Sequence, residues 1–544
     1  MEKKIKKILF VSPDSGEVSS HSQFHAPPLG VMRLAGYLNT KGHYSKYYDP
    51  NLYSCNKKGF SLEEIIKSEK WDIIGFSLLD ETLLQDIQNI YLARKLQPNA
   101  LLIAGGVEAQ FNYQTVLDKT PCSIVILGEG EIPIQMIADG YAYNEIPGVV
   151  VKNNAKPLTE KLFNEATNSI EWEKIPYEEY WNVYKKMYGN EWNDEIESSV
   201  NTVRIFSRNR CPIGCKYCSS TFQLTLASDQ KVPVISQTEE SLIHNIKRIQ
   251  ESHPKVRMIY LTDDDFIINK ASVIRFCKKV VENDFGDLKF MAFARITDLN
   301  EEVIQWLKKA NFCKLNIGVE SFSQKVLNEV GKRCDVKEIY PVLKLLKKYN
   351  IRPFMNIIMT TPKSKIEDVE VTVDNIMEIL QDPFYMGGPI IGIQPLKGTA
   401  FFEEYTDFKS YTTNIEGTPY KIRRDDYIWP EDPKVRELVK RYLAGQDKVV
   451  KDYVQKNKIR HANQANLAMM HFKFVKEIVT EIKKEVANGG LIESDKIING
   501  AGRNYKDSPL YNAYVKRDKF EKISKTNMPK EKLEESKVSS NKLN

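Results

Sequence analysis

From Lys6 to Pro395, short apolar runs alternate with amphipathic helical stretches. Strand and helix in repeated order leave a chain little choice but parallel sheets covered by helices, because each return to the same end of a sheet needs a crossover. In the first block the runs KILFV, WDIIGFS, LLIAGG, SIVILG and GVVV are separated by helical patterns such as Val31 to Leu38 and Leu83 to Leu96. This predicts an α/β, doubly wound, Rossmann-like sheet. The loops that follow its strands are rich in Gly and Pro: PPLG at 27–30, AGGVE at 104–108 and LGEGE at 127–131. Ligands of such sheets bind beyond the carboxyl ends of the strands, where these loops lie.

The second block repeats the alternation with NTVRIFS, VRMIYL, KFMAFAR, KLNIGV, RPFMNIIM and GPIIGIQP as strands. Between them, helices are expected over Glu239 to Glu251, Ser272 to Glu282 and Glu301 to Lys309. Ile339, Val342, Leu343 and Leu346 share one helical face. Ser364 with Glu367 reads as a capping box opening a helix that carries Val369, Val373, Ile376 and Leu380 on one side. Six strand-helix units make most of a TIM-type barrel, whose chemistry sits at the carboxyl ends of its strands.

Between the blocks, a polar and aromatic stretch with Trp172, Tyr177, Tyr180, Trp181, Tyr184, Tyr188 and Trp192 reads as a connector packed against both. A chain of 544 residues exceeds one core and divides into about three or four domains. The expected organisation is 1–151 (first sheet), 152–199 (linker), 200–400 (barrel), 401–514 (mainly helical) and 515–544, a lysine-rich, disordered tail. The net charge of +6 is small for this length and argues against nucleic acid as a partner. The basic start MEKKIKK is followed by only a short apolar run before Pro13, so it reads as a first strand rather than a signal segment. No run approaches the roughly 18 apolar residues of a membrane span, and a cytoplasmic location is expected.

Eight cysteines in this length, three of them clustered, are not a disulfide framework. In RNRCPIGCKYCSS the three are Cys211, Cys215 and Cys218, in the loop after the first barrel strand. Structural zinc takes four ligands, commonly from two separated pairs, and no second pair exists here. A cubane 4Fe-4S cluster has four irons, so three thiolates leave one iron open to an exogenous ligand. An open iron implies chemistry rather than a structural staple. Pro212 and Gly214 let the backbone wrap such a cluster, and Tyr217 stands just before the last thiol.

CPIGCKYC resembles the cluster motif of the radical S-adenosylmethionine (SAM) superfamily, whose fold is a partial (β/α)6 barrel. LTDDDF, with Asp263 and Asp264, resembles the second-strand segment that holds the methionine amino group in related enzymes. IGVES, with Glu320 and Ser321, resembles the fourth-strand segment that contacts the ribose, and IQPLKGT resembles the sixth-strand end that borders the adenine. Further towards the N-terminus, PPLG (Pro28, Gly30), the pair Gly105 and Gly106, and GEGE (Gly128, Glu129) resemble the cobalamin-binding domain that precedes the barrel in one large subfamily. The resemblance covers roughly residues 6 to 400. It implies a 4Fe-4S cluster, SAM and cobalamin as cofactors, and an electron donor such as flavodoxin or ferredoxin as partner. It further implies that the open iron chelates SAM and that a 5'-deoxyadenosyl radical forms at the barrel mouth; if a methylated cobalamin lies against the same mouth, the substrate radical can take its methyl group. Arg295, ending the third strand, is a candidate catalytic residue contacting SAM or substrate, with a pairing to Asp298 as the alternative.

Two departures from the pattern stand out. The DxHxxG histidine motif is absent, with His21 and His25 in the corresponding loop, and MTTPKSK stands where relatives carry a glycine-rich turn at the fifth strand. A cobalamin-dependent methyltransferase acting on an unactivated carbon of a natural product, peptide or lipid is the expected enzyme. The alternative is a non-methylating cyclase, rearrangement or epimerisation enzyme of the same architecture. A methylthiotransferase needs a second three-cysteine set in the first domain, and only Cys55 and Cys122 lie there.

Overall fold

The computed structural model describes residues 4–13, 26–50, 52–53, 60–149, 159–219, 234–397, 399–405, 410–425, 427–457 and 464–490. His21, His25, Cys55 and the tail at 515–544 lie outside the described residues.

Two parallel sheets carry the fold. The first has strands β1 (Lys7–Val11), β2 (Tyr44–Tyr48), β3 (Ile73–Ser77), β4 (Leu101–Gly105) and β5 (Ile124–Val125) in the order β2-β1-β3-β4-β5. The order reverses between β1 and β3, and the crevice of a doubly wound sheet opens at such a switch point. One strand of the set differs from the expectation. YSKYY forms the edge strand β2, half covered and alternating, which a search for apolar runs passes over. Val149 of the GVVV run makes an isolated antiparallel bridge to Ile126, and Val150 and Val151 lie outside the described residues.

The second sheet has six parallel strands in sequence order, β6 (Thr202–Ile205), β7 (Met258–Leu261), β8 (Lys289–Arg295), β9 (Phe312–Glu320), β10 (Arg352–Ile358) and β11 (Met386–Ile390). β6 and β11 are edges of this sheet rather than partners, so the barrel stays open. One face of each strand packs on the surrounding helices through residues such as Phe290, Ala292, Ile317, Met355 and Ile357, all buried. The other face points inward. The helix after β10 begins at Ile366 rather than at a Ser364 cap; Ser364 instead accepts a hydrogen bond from the Thr361 N–H at 2.8 Å, and Asp368 accepts from the Lys365 N–H at 2.9 Å.

The connector is packed on both sides, as its aromatic content suggests. Trp172, Tyr177, Tyr180 and Trp181 are buried. The Trp172 indole N–H donates to Asn245 Oδ1 on a barrel helix at 2.9 Å, and the Tyr180 hydroxyl donates to Asp49 of the first domain. Beyond the barrel, the helix Gln464–Ala487 buries Phe472, Val475, Val479 and Ile482. Between these parts a hairpin, β12 (Ser410–Asn414) with β13 (Lys421–Asp425), was not legible as strands. Its Ile415, Tyr420 and Ile422 join the apolar core of the first domain, which links the two ends of the fold. No helix among the described residues is long and apolar enough to cross a membrane.

Candidate active site

The cysteine loop leaves β6 under tight control. Asp263, buried at the end of β7, accepts hydrogen bonds from the Ser207 and Arg208 backbone N–H groups at 2.8 and 2.6 Å and from the Ser207 hydroxyl at 2.8 Å. Burial pushes its carboxyl up to about 6 against these bonds. Its oxygens therefore hold the base of the loop, while the adjacent Asp264 is exposed and lines the cleft above. Further along, Lys216 donates its N–H to the Val330 carbonyl at 3.0 Å and accepts from the Phe401 N–H at 3.1 Å. Gly214 turns the chain with φ +85°, where a side chain would be strained, and the Cys218 N–H closes on the Cys215 carbonyl at 3.1 Å.

Cys211, Cys215 and Cys218 are half-exposed on this loop, none in a disulfide. Burial pushes the Cys211 thiol up to about 12 and raises Cys215, so binding a cation would have to drive their deprotonation. Among the described residues no three His, Cys, Asp or Glu side chains converge on one point as a single ion requires. A cluster asks for something else, because each thiolate binds a different iron. Three spaced thiols on one pinned loop fit that donor set.

Behind the loop, Glu320 ends β9 with φ +66°, a left-handed conformation that costs a non-glycine residue roughly 1–2 kcal/mol. Its Oε1 accepts from the Tyr217 hydroxyl at 2.8 Å and from Lys332 Nζ at 2.7 Å. The following Ser321 is turned away, its hydroxyl hydrogen-bonded with that of Thr372 at 2.8 Å. Arg295 pairs as the alternative reading had it: Nε donates to Asp265 and Asp298 at 2.8 and 2.9 Å, and Nη2 to Asp298 at 2.9 Å. Burial, then Asp298, pushes the Asp265 carboxyl up. At the MTTPKSK turn, Thr361 donates to Glu329, and Thr360 donates to the Ile391 carbonyl.

Inside the barrel the alternation of β7 to β10 turns Tyr260, Phe293, Asn316, Phe354 and Asn356 inward, each half-buried. The Asn316 amide donates to the Tyr260 hydroxyl at 2.9 Å, and the Tyr260 and Phe293 rings lie 5.7 Å apart.

In the first domain a cavity of about 180 Å³ opens at the carboxyl ends of β1, β3, β4 and β5. Gly30, Gly105, Gly106, Gly128 and Gly130 line it with Phe10, Ile103, Ala104 and Ile126. A Cβ at Gly106, where φ is +89°, would come within 2.9 Å of Leu78 backbone atoms. Pro28 precedes the helix Leu29–Thr40, whose residues form one wall. Among the described residues no histidine lines the cavity. A slot floored by backbone and apolar atoms fits the flat portion of a large planar cofactor.

Between this cavity and the cysteine loop lies a second cleft of about 320 Å³, lined by Gly30, Arg33 and Glu129 from the first domain and by Arg208 to Arg210 and Thr262 to Asp265 from the barrel. Gly30, Arg33 and Glu129 line both. Arg33 stacks between Phe163 at 5.6 Å and Phe206 at 5.2 Å and meets Glu129 at 2.8 Å and Glu131 at 2.5 Å. Glu129 also faces Arg210, the residue before Cys211, at 3.7 Å. Sequence reading missed Arg33, Arg210 and Lys332, and took Glu131 only as the end of GEGE. An arginine within the apolar stripe Val31, Met32, Ala35 was a signal; Lys332, in GKRC, looked like any surface lysine.

The radical SAM superfamily model matches residues 205–376, and the B12 binding domain model matches residues 18–138. The chain is 23% identical over 386 residues to the anaerobic magnesium-protoporphyrin IX monomethyl ester cyclase of Rubrivivax gelatinosus, covering 67% of this chain and 64% of that protein. It is 25% identical over 378 residues to an uncharacterized methyltransferase of Pyrococcus horikoshii, covering 68% and 77%. In fold it is similar to the radical SAM methyltransferase TsrM from Kitasatospora setae with cobalamin and a 4Fe-4S cluster bound (TM-score 0.61, 13% identity, 89% of this chain and 100% of that one). It is likewise similar to the cobalamin-dependent SAM radical enzyme OxsB with aqua-cobalamin bound (TM-score 0.60, 13% identity, 94% and 83%).

Proposed function

We propose, for a chain that joins a B12-binding domain to a radical SAM domain and so takes a 4Fe-4S cluster, SAM and cobalamin, that it methylates an unactivated carbon of a small-molecule or peptide substrate. One observation carries this reading: through Gly30, Arg33 and Glu129 the glycine-floored cavity adjoins a cleft lined by Arg208, Asn209 and Arg210, the residues that lead into Cys211. Methyl transfer between a corrin and a carbon radical requires the two cofactors to face one space.

When bound, the cluster and SAM supply a carbon-centred radical, and cobalamin supplies the methyl group. The chain's own groups place and shield. Cys211, Cys215 and Cys218 hold the cluster, with Asp263 fixing the base of their loop. Glu320 offers an acceptor to the ribose, and Asp264 borders the cleft where the methionine end of SAM would lie. Tyr260, Phe293, Asn316, Phe354 and Asn356 line an open barrel in which a partly apolar substrate with a hydrogen-bonding group would sit near the radical. Arg295 acts here through Asp265 and Asp298, shaping the rim rather than reacting.

Similarity to the Rubrivivax cyclase supports a second reading, ring closure without methyl transfer. The test is an absorption spectrum of anaerobically reconstituted protein, gel-filtered after incubation with hydroxocobalamin. Retained corrinoid bands beside the iron-sulfur shoulder are expected, and loss of the corrinoid alone in G105L, whose side chain would enter the cavity without backbone strain. A wild-type protein that keeps its cluster and no corrinoid would move ring closure ahead.

A further inference from the structure

We propose that Lys332 is a positioning residue of the cluster and SAM site, holding the Glu320 carboxylate with one oxygen free for SAM and placing a positive charge beside the iron that Cys215 would ligate. The inference rests on the radical SAM reading above.

The arrangement is built from three separate parts of the chain. Glu320 comes from β9, Tyr217 from the cysteine loop and Lys332 from the turn twelve residues after Glu320. Both donors converge on Oε1, and Oε2 takes no hydrogen bond from the described residues. That oxygen remains an acceptor in a wall only 4% exposed. Room for the pair is cleared by Gly318, since a Cβ there would strike both Lys332 Nζ and Glu320 Oε1. The turn itself is anchored to the cysteine loop. The Val330 carbonyl accepts the Lys216 N–H at 3.0 Å, and Gly331, at φ +68°, lies against Gly214 and Lys216.

Stability alone does not account for such a pair, because buried ion pairs are often replaceable by apolar residues at no loss. Its place does. Adding an electron to a cluster held by three thiolates makes it one unit more negative, and a fixed cation in a half-dry site favours that form. Lys332 directly follows Val330 and Gly331, which are fastened to Lys216 and Gly214, the residues on either side of Cys215. Burial, the largest single effect, pulls the Lys332 pKa down, but Glu320 and Cys215 together leave it raised, and the ammonium stays paired with Glu320 Oε1 at 2.7 Å.

Wild type, K332M, K332R and E320Q would be reconstituted with iron and sulfide and checked for cluster content. Each would then be titrated with titanium(III) citrate against redox dyes, followed by electron paramagnetic resonance, and with SAM by anaerobic calorimetry. K332M should lower the reduction potential, E320Q should raise it, and both should weaken SAM binding about tenfold or more. K332R should keep the wild-type potential. Shifts of opposite sign are what a merely structural role would not give. A fully loaded K332M with wild-type potential and SAM affinity overturns the proposal, as does an E320Q without a rise should K332M lose its cluster. A wild type that assembles no cluster would instead overturn the radical SAM reading on which this one rests.

Discussion

Cysteine spacing is informative at the residue scale because it is local: three thiols in eight residues meet whatever the rest of the chain does. Replacing Cys211, Cys215 or Cys218 singly by Ala should abolish cluster assembly, read as loss of the iron-sulfur absorption and of bound iron. The roles of the acids and of Arg295 were not legible in the same way, since they depend on what faces them across the barrel. The sequence located the strand ends but not that Asp263 is spent on the loop or Ser321 on Thr372. Arg295 is the sharpest case. R295A would strand two buried carboxylates, Asp265 and Asp298, and should cost about 3–5 kcal/mol in urea unfolding at pH 7. Burial and mutual repulsion raise the folded pKa of Asp265, and removing Arg295 raises it further. A carboxyl with a raised folded pKa destabilises when ionised, so the deficit should grow as the pH rises above about 7, where Asp265 titrates with Arg295 in place, and shrink as the pH falls through that value. A deficit unchanged between pH 9 and pH 6 would argue that the lost interaction is packing instead.

At the scale of elements, the runs with continuous apolar character were readable, and those with one wet face were not. β1, β3 and β4 are covered on both sides by helices, so KILFV, IIGFS and LLIAG announce themselves. YSKYY does not: Lys46 points to solvent and its neighbours are aromatic rather than aliphatic. This edge is held by charge as much as by pairing. Glu69 accepts from Lys7, Lys46 and the Tyr44 hydroxyl, each at 2.8 Å, and Lys46, then Lys7, hold its carboxyl down at about 2. Because the folded pKa is depressed, this stability is present above the ordinary carboxylate range and is lost as the pH falls through about 2. E69Q should therefore cost about 1 kcal/mol near neutral pH, the lysines being half-exposed. The difference from wild type should close between about pH 4.5 and pH 2 in chemical unfolding curves. The hairpin β12–β13 escaped notice for a similar reason, since SYTTN and KIRRD are polar strands whose anchoring apolar residues, Ile415, Tyr420 and Ile422, lie mostly in and beside the turn.

Across the whole molecule, that hairpin decides how the halves behave. A first domain joined to a barrel only by a linker could unfold by itself. Here, residues from beyond the barrel complete the first domain's core, Lys397 beyond β11 donates to Asn112, and Arg33 is wedged between aromatic rings of the linker and the barrel. Chain order gives no hint of this, because the contact between Tyr420 and the first sheet spans most of the sequence. Unfolding of the first domain must withdraw the hairpin, so calorimetry should show the two sheets melting in one transition. Y420A removes a fully buried ring, a change worth about 3–5 kcal/mol for large aromatics, and should split that transition in two, the first domain melting earlier. Hydroxocobalamin in excess stabilises whichever unit binds it. In wild type it should raise the single transition, and in Y420A only the lower one, which would place the corrin site in the first domain and show that the strap, not the linker, makes the cofactor domain and the barrel one cooperative body.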